Sequence, residues 1–268
     1  MSTHLLRLFL ATVGRLSQGV QLCYSDGPTA GTTLAYAYRN EPHGRLIIGK
    51  WIDRRFLNHV GWQRARDRHA ALQTVLRQNV ADLTSAGLPI QILDLASGTA
   101  DYLTAVFGPS SPPASAVCRD ASEKCLATGR AWVAAAGIHD IRFELGDALD
   151  RPSILAIQPR PTLVLSVGLY ELLDDDAFAT SIHIAAQALL PGGRFIVVHQ
   201  IGHSHPDVVS QLFRSPDRPP TKLYLRSPAQ LASALQNASL IPTSALLCGQ
   251  GWYTVTTARK DADGPGPL

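Results

Sequence analysis

The sequence predicts an α/β fold: a doubly wound, mainly parallel sheet of seven strands with an antiparallel last strand, preceded by an N-terminal helical cap. Between residues 86 and 260, short apolar runs alternate with longer segments of helical spacing, a pattern typical of parallel strands joined by helices. Only a short turn separates the last two strand-like runs, which favours an antiparallel pair at the sheet edge. Residues 1–85 lack this alternation and carry helical apolar stripes instead.

The individual elements follow from local signals, because each expected strand is a short apolar run closed by a polar or glycine residue. Ser122 and Asp174 are suited to cap the helices that follow them, and Ser227-Pro228 begins a segment with the spacing of a capping box. The strands are expected at residues 90–96, 116–118, 141–145, 162–167, 194–198, 244–247 and 253–258. The main helices are expected at residues 99–107, 122–136, 174–190 and from 228 onward.

Composition and charge exclude several classes of protein. The chain has 268 residues, 46% of them hydrophobic, which is enough for one sizeable core. Its formal net charge of +3 is far below that of a dedicated nucleic-acid-binding protein, so we expect no nucleic-acid partner. The four cysteines form no CxxC pair, which fits a reduced cytoplasmic setting. The apolar stretch at residues 4–13 contains Arg7 and is too short to span a bilayer, so we expect an amphipathic helix without stable membrane insertion.

The chain is expected to divide into three parts. Residues 1–85 form a helical cap or lid over the ligand crevice, residues 86–260 form the catalytic domain, and the tail at 261–268 is disordered. Three aromatic residues of the cap are candidates for substrate contact, although packing within the cap explains them equally well: Tyr24, Tyr38 and Trp62. Three arginines are interpreted as a solvated or salt-bridged helix face in preference to a clamp for carboxylate or phosphate: Arg64, Arg66 and Arg68.

Three acidic residues fall at corresponding points of successive strands. Asp94 lies inside the first strand, Asp120 ends the second and Asp147 follows the third. In such sheets ligands bind beyond the carboxyl ends of the strands, and an Asp at the end of the second strand can accept both hydroxyls of a ribose. An acid after the third strand can receive an adenine amino group. Each acid alone can also be an ordinary loop residue, but together they predict an adenosyl ligand.

The segment ILDLASGTADYL, residues 92–103, resembles motif I of class I S-adenosylmethionine-dependent methyltransferases. The peptides RDAS, GDALD, TLVLSVGLYELL and PGGRFIVV then follow in the order of that family. The similarity is closest to a branch found fused to an α/β-hydrolase in some bacterial proteins, with which the chain shares the stretch beginning LAYAYRNEPHGRLIIGKW. The hydrolase portion is absent, so we expect a stand-alone protein. The resemblance implies a Rossmann-like methyltransferase sheet and S-adenosylmethionine as the cofactor.

The resemblance also implies roles for individual residues. The cofactor-binding set comprises Asp94, Ala96, Gly98, Asp120, Asp147, Ala148, Ser166 and Gly168. Tyr170 and Glu171 would point toward the transferred group, with core packing and a helix-entry acid as their respective alternatives. In place of the usual second glycine of motif I stands Ala100, which puts the pose of the cofactor in question.

Three histidines follow the fifth strand in HQIGHSH: His199, His203 and His205. Imidazole is a common metal ligand, but no carboxylate joins the group, so no metal site is expected. A base or substrate-loop role is the alternative to plain loop histidines. The catalytic candidates are therefore Tyr170, Glu171 and His199.

The function expected first is methyl transfer to an oxygen or nitrogen of a small molecule, in bacterial secondary or lipid metabolism. The alternative keeps the fold but attacks another carbon of the sulfonium: the cofactor cyclises to azetidine-2-carboxylate and releases methylthioadenosine. A non-enzymatic cofactor-binding regulator is the third reading. The partner is accordingly a small-molecule acceptor or S-adenosylmethionine alone, and the sequence leaves a homodimer open.

Overall fold

The computed structural model describes residues 3–108, 111–202, 212–213 and 222–262. At its centre lies one seven-stranded sheet in the order β3-β2-β1-β4-β5-β7-β6. The strands are β1 (Ile90–Leu95), β2 (Ala114–Asp120), β3 (Ile141–Leu145), β4 (Leu163–Val167), β5 (Arg194–Gln200), β6 (Leu240–Cys248) and β7 (Tyr253–Lys260). The first five are paired in parallel, and β7 runs antiparallel to both β5 and β6. The predicted fold class is confirmed.

Nine α-helices are present among the described residues. They are α1 (Thr3–Ala11), α2 (Gln18–Ser25), α3 (Gly31–Arg39), α4 (Leu46–Leu57), α5 (Val60–Ser85), α6 (Glu123–Ala135), α7 (Arg151–Leu155), α8 (Asp175–Ala188) and α9 (Pro228–Asn237). The helix expected at residues 99–107 is instead a single 3-10 turn, Asp101–Ala105. Its N-cap residue, Ala100, is left-handed with φ of 52°, which is incompatible with an earlier start of a right-handed helix.

Two hydrophobic layers cover the two faces of the sheet. On the first face, α5 lays an apolar stripe against strand residues such as Ile92 and Leu165; the stripe is Leu72, Leu76, Val80 and Leu83. On the second face, Leu93 and Phe195 pack against α8 and α9. Successive strand residues face opposite sides, which is why Ile92 and Leu93 belong to different layers. Each buried leucine contributes about 1.5–3 kcal/mol, so these layers fix the positions of the strand ends.

The long helix α5 links the cap to the sheet. Its C-terminal half belongs to the first hydrophobic layer, whereas its N-terminal half lies with the cap helices and carries Arg64 and Arg68. The described chain is therefore continuous across residue 85, and the division at that point stays a prediction. Of the tail expected to be disordered, only residues 261–262 lie within the described part.

A buried carboxylate holds the cap together. Asp53 of α4 is fully buried and accepts hydrogen bonds from Ser17 Oγ at 2.5 Å, Gly19 N at 2.9 Å and His43 N at 2.9 Å, as well as from the Tyr36 hydroxyl. Four hydrogen bonds compensate for removing this charge from water. The hub ties α2, α3, α4 and the loop before α4 into one unit.

The N-terminal amphipathic helix is shorter than its apolar stretch. It ends at Ala11 and is followed by a 3-10 turn, Val13–Leu16. Phe9 and Val13, both in that apolar stretch, are 39% and 45% exposed, so the stretch is only partly covered. No helix among the described residues combines the length and apolarity needed to cross a membrane.

Candidate active site

The candidate site lies at the carboxyl ends of β1 and β4. These two strands are neighbours in the sheet. The chain continues from β1 to β2 on one side of the pair and from β4 to β5 on the other side. The connections therefore diverge to opposite sides, and a crevice opens at this switch point. Nearly all of the predicted cofactor-binding residues stand on the loops that border the crevice or on the strand ends next to it.

The loop after β1 owes its shape to alternating left-handed residues. Ala96, Gly98 and Ala100 have φ of 55°, 58° and 52°. A left-handed alanine costs roughly 1–2 kcal/mol relative to a right-handed one, so this conformation is held by its surroundings. Ala100 adopts the conformation that a glycine would adopt more freely, and the turn of motif I is kept in spite of the substitution.

Asp120, at the end of β2, fixes this loop. Its Oδ2 accepts the Gly98 backbone N–H at 2.7 Å and its Oδ1 accepts that of Ser122 at 2.8 Å. Each carboxylate oxygen retains a second lone pair for a ligand hydroxyl. Asp147 lies one strand further on, is exposed and accepts the backbone N–H of Leu149 at 2.8 Å, while Ala148 is partly buried beside it.

Asp94 lies at the floor of the crevice, fully buried. Its Oδ2 accepts the Tyr102 hydroxyl at 2.6 Å, whereas its Oδ1 is buried without any hydrogen-bond partner. Burial raises the pKa of Asp94 to about 8; the Tyr102 hydrogen bond works against this rise and the Asp120 charge adds to it. A buried carboxyl oxygen without a hydrogen-bond partner is unusual and marks a place where a ligand can supply one.

Glycines allow backbone segments to approach each other closely around the loop. A Cβ on Gly31, at the start of α3, would lie 2.9 Å from Gly98 Cα, so the cap rests directly on the loop after β1. On the other side Gly168 has φ of 74°, and a Cβ there would lie 3.3 Å from Glu171 Oε1 and 3.6 Å from Arg68 Nη1. Two charged side chains thus flank the backbone that follows β4.

Glu171 and His199 form a buried pair beside Gly168. They are 5% and 1% exposed, and Glu171 Oε2 lies 3.4 Å from His199 Nδ1. His199 Nε2 accepts the backbone N–H of Arg226 at 3.1 Å. An imidazole nitrogen that accepts a hydrogen bond carries no proton, so the neutral ring must carry its proton on Nδ1, which faces Glu171. Among the described residues, neither Glu171 Oε2 nor His199 Nδ1 has a hydrogen-bond partner at this separation, so the two side chains are neighbours only, and His199 Nε2 is not free to face a substrate.

Tyr170 is not brought into the crevice. Its side chain is fully buried in the second hydrophobic layer, edge-on to the rings of Phe178 at 5.1 Å and Phe195 at 6.4 Å. Burial raises the pKa of Tyr170, and the neighbouring hydroxyls of Ser181 and Ser166 partly offset the rise. Ser166, in the cofactor-binding set, points its side chain into this same layer, so only its backbone borders the crevice.

Of the predicted cap contacts, only Tyr38 reaches this region. Its hydroxyl is hydrogen-bonded to Arg68, and its ring stacks on His69 with centroids 4.3 Å apart. Tyr24 donates to the backbone oxygen of Leu212 at 3.2 Å, and Trp62 packs on Phe56 with centroids 5.2 Å apart. Both are occupied by packing within the cap or against the segment after β5.

Arg68 differs from two other arginines of α5, Arg64 and Arg66. Arg64 and Arg66 are partly exposed: Arg64 bonds Gln250, and Arg66 bonds the backbone oxygens of Ala37 and Leu57. Arg68 is only 5% exposed, which overturns its interpretation as part of a solvated face. Its position on α5 in register with Leu72 and Leu76 was the available signal. His203 and His205 lie outside the described residues, and within the described ranges no three metal-ligating side chains gather.

Several known structures share the overall fold of this chain. Magnesium protoporphyrin IX methyltransferase from Synechocystis PCC 6803, solved with bound S-adenosylhomocysteine, superposes with a TM-score of 0.57 at 14% identity, over 94% of this chain and 100% of that one. A possible exported protein from Bordetella parapertussis gives 0.63 at 17% identity over 98% of both chains. The [4+2]-cyclase SpnF gives 0.55 at 16% identity, over 75% and 82%. At these identities the likeness concerns the fold alone.

The fold is therefore that of class I S-adenosylmethionine-dependent methyltransferases. The chain belongs to the family described as "Putative methyltransferase", whose model matches residues 1–260. It is also 32% identical over 260 residues to the uncharacterized protein YnbC of Escherichia coli strain K12. That match covers 96% of this chain but 44% of YnbC, so the chain spans less than half the length of this relative.

Proposed function

We propose that this chain methylates an oxygen or nitrogen of a small molecule in bacterial secondary or lipid metabolism. S-adenosylmethionine is the cofactor and supplies an electrophilic methyl group on a sulfonium sulfur. The observation that carries the proposal is the loop after β1, which brings the Gly98 amide to within 2.7 Å of the Asp120 carboxylate at the switch point of the sheet. A family match over residues 1–260 supports it.

Two features of the loops support an adenosyl ligand with an amino-acid tail. Gly98 and Gly168 place no side chains at the strand ends, and Oδ1 of Asp94 is buried without a hydrogen-bond partner in the described part of the chain. We assign the ribose hydroxyls to Asp120, whose oxygens retain free lone pairs. The adenine is assigned to Asp147 and Ala148, and the methionine part to the following set: Asp94, Ala96, Gly98, and the backbone of Ser166 and Gly168.

Glu171 is the residue that we propose takes the proton of the acceptor. It is buried; its Oε1 lies 3.3 Å from the place a Cβ of Gly168 would occupy, and its Oε2 lies 3.4 Å from His199 Nδ1. A positioned carboxylate within reach of an acceptor O–H or N–H supplies general-base catalysis, and holding the acceptor in line with the methyl group supplies proximity. Tyr38 is the cap residue we assign to the acceptor, and an aromatic wall suits an apolar molecule.

The second candidate function is cyclisation of the cofactor. Its α-amine nitrogen would form a bond to its own γ-carbon while the γ-carbon–sulfur bond breaks, and the electron pair would leave with sulfur as methylthioadenosine. Glu171 would receive the amine proton. The observation favouring this option is that oppositely charged Glu171 and Arg68 flank Gly168, as an α-amino acid group would require.

One assay separates the two functions. The purified chain is incubated with S-adenosylmethionine and no acceptor, and nucleosides and amino acids are followed by mass spectrometry against a protein-free control. We expect the cofactor to be bound and recovered intact. Protein-dependent methylthioadenosine together with azetidine-2-carboxylate would replace methyl transfer by cyclisation, and absence of any cofactor binding would reject both.

The ribose assignment is tested by Asp120→Asn. We expect it to weaken binding of S-adenosylhomocysteine by at least about tenfold, because a charged acceptor of two hydroxyls is lost and charge-assisted hydrogen bonds contribute more than about 1.4 kcal/mol. Isothermal titration calorimetry provides the measurement. Glu144→Gln, at the neighbouring strand end, is the matched control and should bind like the wild type. Equal affinity of all three proteins would refute the assignment.

Three further properties belong to the proposal. We place the chain in the cytoplasm, because all four of its cysteines are free thiols. We propose a kinship with methyltransferase domains fused to an α/β-hydrolase, since more than half of the related YnbC lies outside the match. For its assembly we propose a homodimer.

A further inference from the structure

Arg68 is a buried guanidinium that makes no direct salt bridge among the described residues, and the charge of Glu171 acts on it only from a greater distance. It is 5% exposed, its Nη2 is hydrogen-bonded to the Tyr38 hydroxyl, and its Cζ lies 4.9 Å from the centroid of the Tyr253 ring. Its Nε is buried without a hydrogen-bond partner. No carboxylate of the described residues lies within ion-pair distance of it. A cation withdrawn from water without a counter-ion costs several kcal/mol unless something compensates for it.

The guanidinium stands over the switch point of the sheet. Its Nη1 is 3.6 Å from the place a Cβ of Gly168 would occupy, which puts it above the end of β4. Tyr38, its hydrogen-bond partner, stacks on His69, and His69 Nε2 lies 3.7 Å from the Asp101 carboxylate at the end of the loop after β1. Arg68 thus lies beside the end of β4, and its partner Tyr38 connects it through His69 to the loop after β1, on the other side of the place where a ligand of this fold lies.

We propose that Arg68 is the receptor for a carboxylate of the ligand bound in this crevice. The planar fork of a guanidinium matches a carboxylate through two parallel hydrogen bonds, and the free Nε is one arm of that fork. A carboxylate suits the site better than a phosphate, because Glu171 faces the same backbone and would repel a second negative charge more strongly. The inference rests on the proposed function.

The charge of Arg68 is secure. Burial works to lower the pKa of Arg68, but Tyr38, Tyr253 and Glu171 more than offset it, so the net direction is upward. The carboxylate has two sources: the methionine tail of the cofactor or an acid group on the acceptor. Either carboxylate would present two oxygens to the guanidinium, and either would be bound between the ends of β1 and β4.

The experiment compares the affinities of S-adenosylhomocysteine and its decarboxylated analogue by calorimetry in the wild type, Arg68→Met and Arg68→Lys. If the cofactor supplies the carboxylate, the wild type should prefer S-adenosylhomocysteine by at least about tenfold. Arg68→Met should lose that preference, with unchanged affinity for the analogue, and Arg68→Lys should keep part of it. Arg64→Met, one turn away and stacked on Trp252 with Arg64 Cζ 3.7 Å from the ring centroid, is the matched control and should retain the full preference.

If Arg68→Met binds S-adenosylhomocysteine as the wild type does, benzoate is titrated into both complexes. Benzoate binding to the wild-type complex alone would assign Arg68 to a carboxylate of the acceptor. Affinities for S-adenosylhomocysteine and benzoate that are both independent of Arg68 would overturn the inference while leaving the proposed function intact. If the wild type binds no S-adenosylhomocysteine, both the inference and the proposed function are rejected. Circular dichroism checks the fold of each variant, and Arg68→Lys serves if the methionine variant does not fold.

Discussion

Asp94 shows how one residue can serve a site at the expense of the fold. Its carboxyl is fully buried, with Oδ2 bonded to Tyr102 and Oδ1 bonded to nothing. Because its pKa rises to about 8, the folded state favours the protonated form. The stabilisation from that form is complete at pH values below the unfolded pKa and is lost as the pH rises through the folded pKa. Between those limits the unliganded protein should become less stable as its Asp94 ionises.

We therefore predict that Asp94→Asn stabilises the unliganded protein increasingly with pH. Asparagine keeps an acceptor for Tyr102 but does not ionise, so the cost of a buried charge disappears. From about pH 5 to about pH 8, the gain in unfolding free energy should grow by more than about 1.4 kcal/mol, the equivalent of one pKa unit. Urea unfolding at several pH values measures it. Asp174→Asn, at the cap of α8, is the control; a pH-independent difference for Asp94→Asn would contradict the prediction.

The tautomer of His199 is determined by the hydrogen bond that its ring accepts from Arg226. Because Nε2 accepts the Arg226 amide, we predict that the neutral ring carries its proton on Nδ1 and donates toward Glu171. Long-range 1H–15N correlation spectra of protein labelled at histidine report the tautomer, and His199→Asn identifies the signal. The Nδ1–H pattern should persist in Glu171→Gln, since the Arg226 amide is unaffected. An Nε2–H pattern would contradict the prediction, because a protonated Nε2 could not accept the Arg226 amide and Nδ1 would then be the unprotonated nitrogen facing Glu171.

At the scale of elements, the contact between α3 and the loop after β1 couples the cap to the cofactor site. Gly31 and Gly98 meet backbone to backbone, and Cys125 Sγ would lie 3.1 Å from a Cβ on Gly31. The neighbouring ion pair between Asp26 and Lys124, 2.6 Å long, joins α2's C-terminus to α6 at the same junction. The cap is therefore seated on the loop that shapes the crevice, and a change in α3 should be felt by the cofactor.

We predict that Gly31→Ala lowers stability by about 1–3 kcal/mol, the usual cost of overpacking, and weakens binding of S-adenosylhomocysteine as α3 moves off the loop. Urea unfolding and calorimetry give the two quantities. Gly108→Ala is the matched control, because the nearest atom to its added Cβ, Ser111 Oγ, would be 3.8 Å away. Normal cofactor affinity in a destabilised Gly31→Ala protein would show that the contact is structural only.

Elements whose signals are local could be predicted from the sequence. The sequence predicts the third strand at residues 141–145, its observed limits, because the apolar run ends at Gly146. For the second strand the sequence predicts only residues 116–118, whereas the observed strand is Ala114–Asp120. The prediction is too short because the polar residues Ser115 and Arg119 do not by themselves indicate a strand. Parallel pairing on both sides determines that strand's length, and pairing depends on distant segments.

The positions of site residues could be predicted where a residue stands directly at the end of a strand. Asp120 is positioned by the end of β2, so its place at the crevice could be inferred from the sequence. Tyr170 could not be oriented, because Gly168 turns the chain left-handed and ends the two-residue alternation of β4. The register of Arg68 with Leu72 and Leu76 indicates its burial, but its place beside Gly168 could not be predicted, since only the packing of α5 across the sheet brings it there.

On the scale of the whole molecule, cap and sheet are joined by more than the crevice. The stripe of α5 lies in the first hydrophobic layer, and two cation–π contacts cross the junction: Arg39 with Trp132 at 3.8 Å and Arg64 with Trp252 at 3.7 Å. Such contacts contribute roughly 0.5–1 kcal/mol each at partly exposed sites. Removing residues 1–85 would expose the part of the first hydrophobic layer that α5 covers, so cap and sheet should not be independently stable.

We accordingly predict that cap and sheet unfold in one transition. The tryptophans allow a test, because Trp51 and Trp62 lie in the cap helices whereas Trp132 and Trp252 lie on α6 and in the β6–β7 turn. Fluorescence of Trp132→Phe/Trp252→Phe then reports on the cap, and that of Trp51→Phe/Trp62→Phe reports on the sheet. In each double variant the fluorescence midpoint in urea should coincide with the midpoint from circular dichroism, as for two-state unfolding. A cap signal lost at lower urea than the dichroism would establish residues 1–85 as a separate cooperative unit.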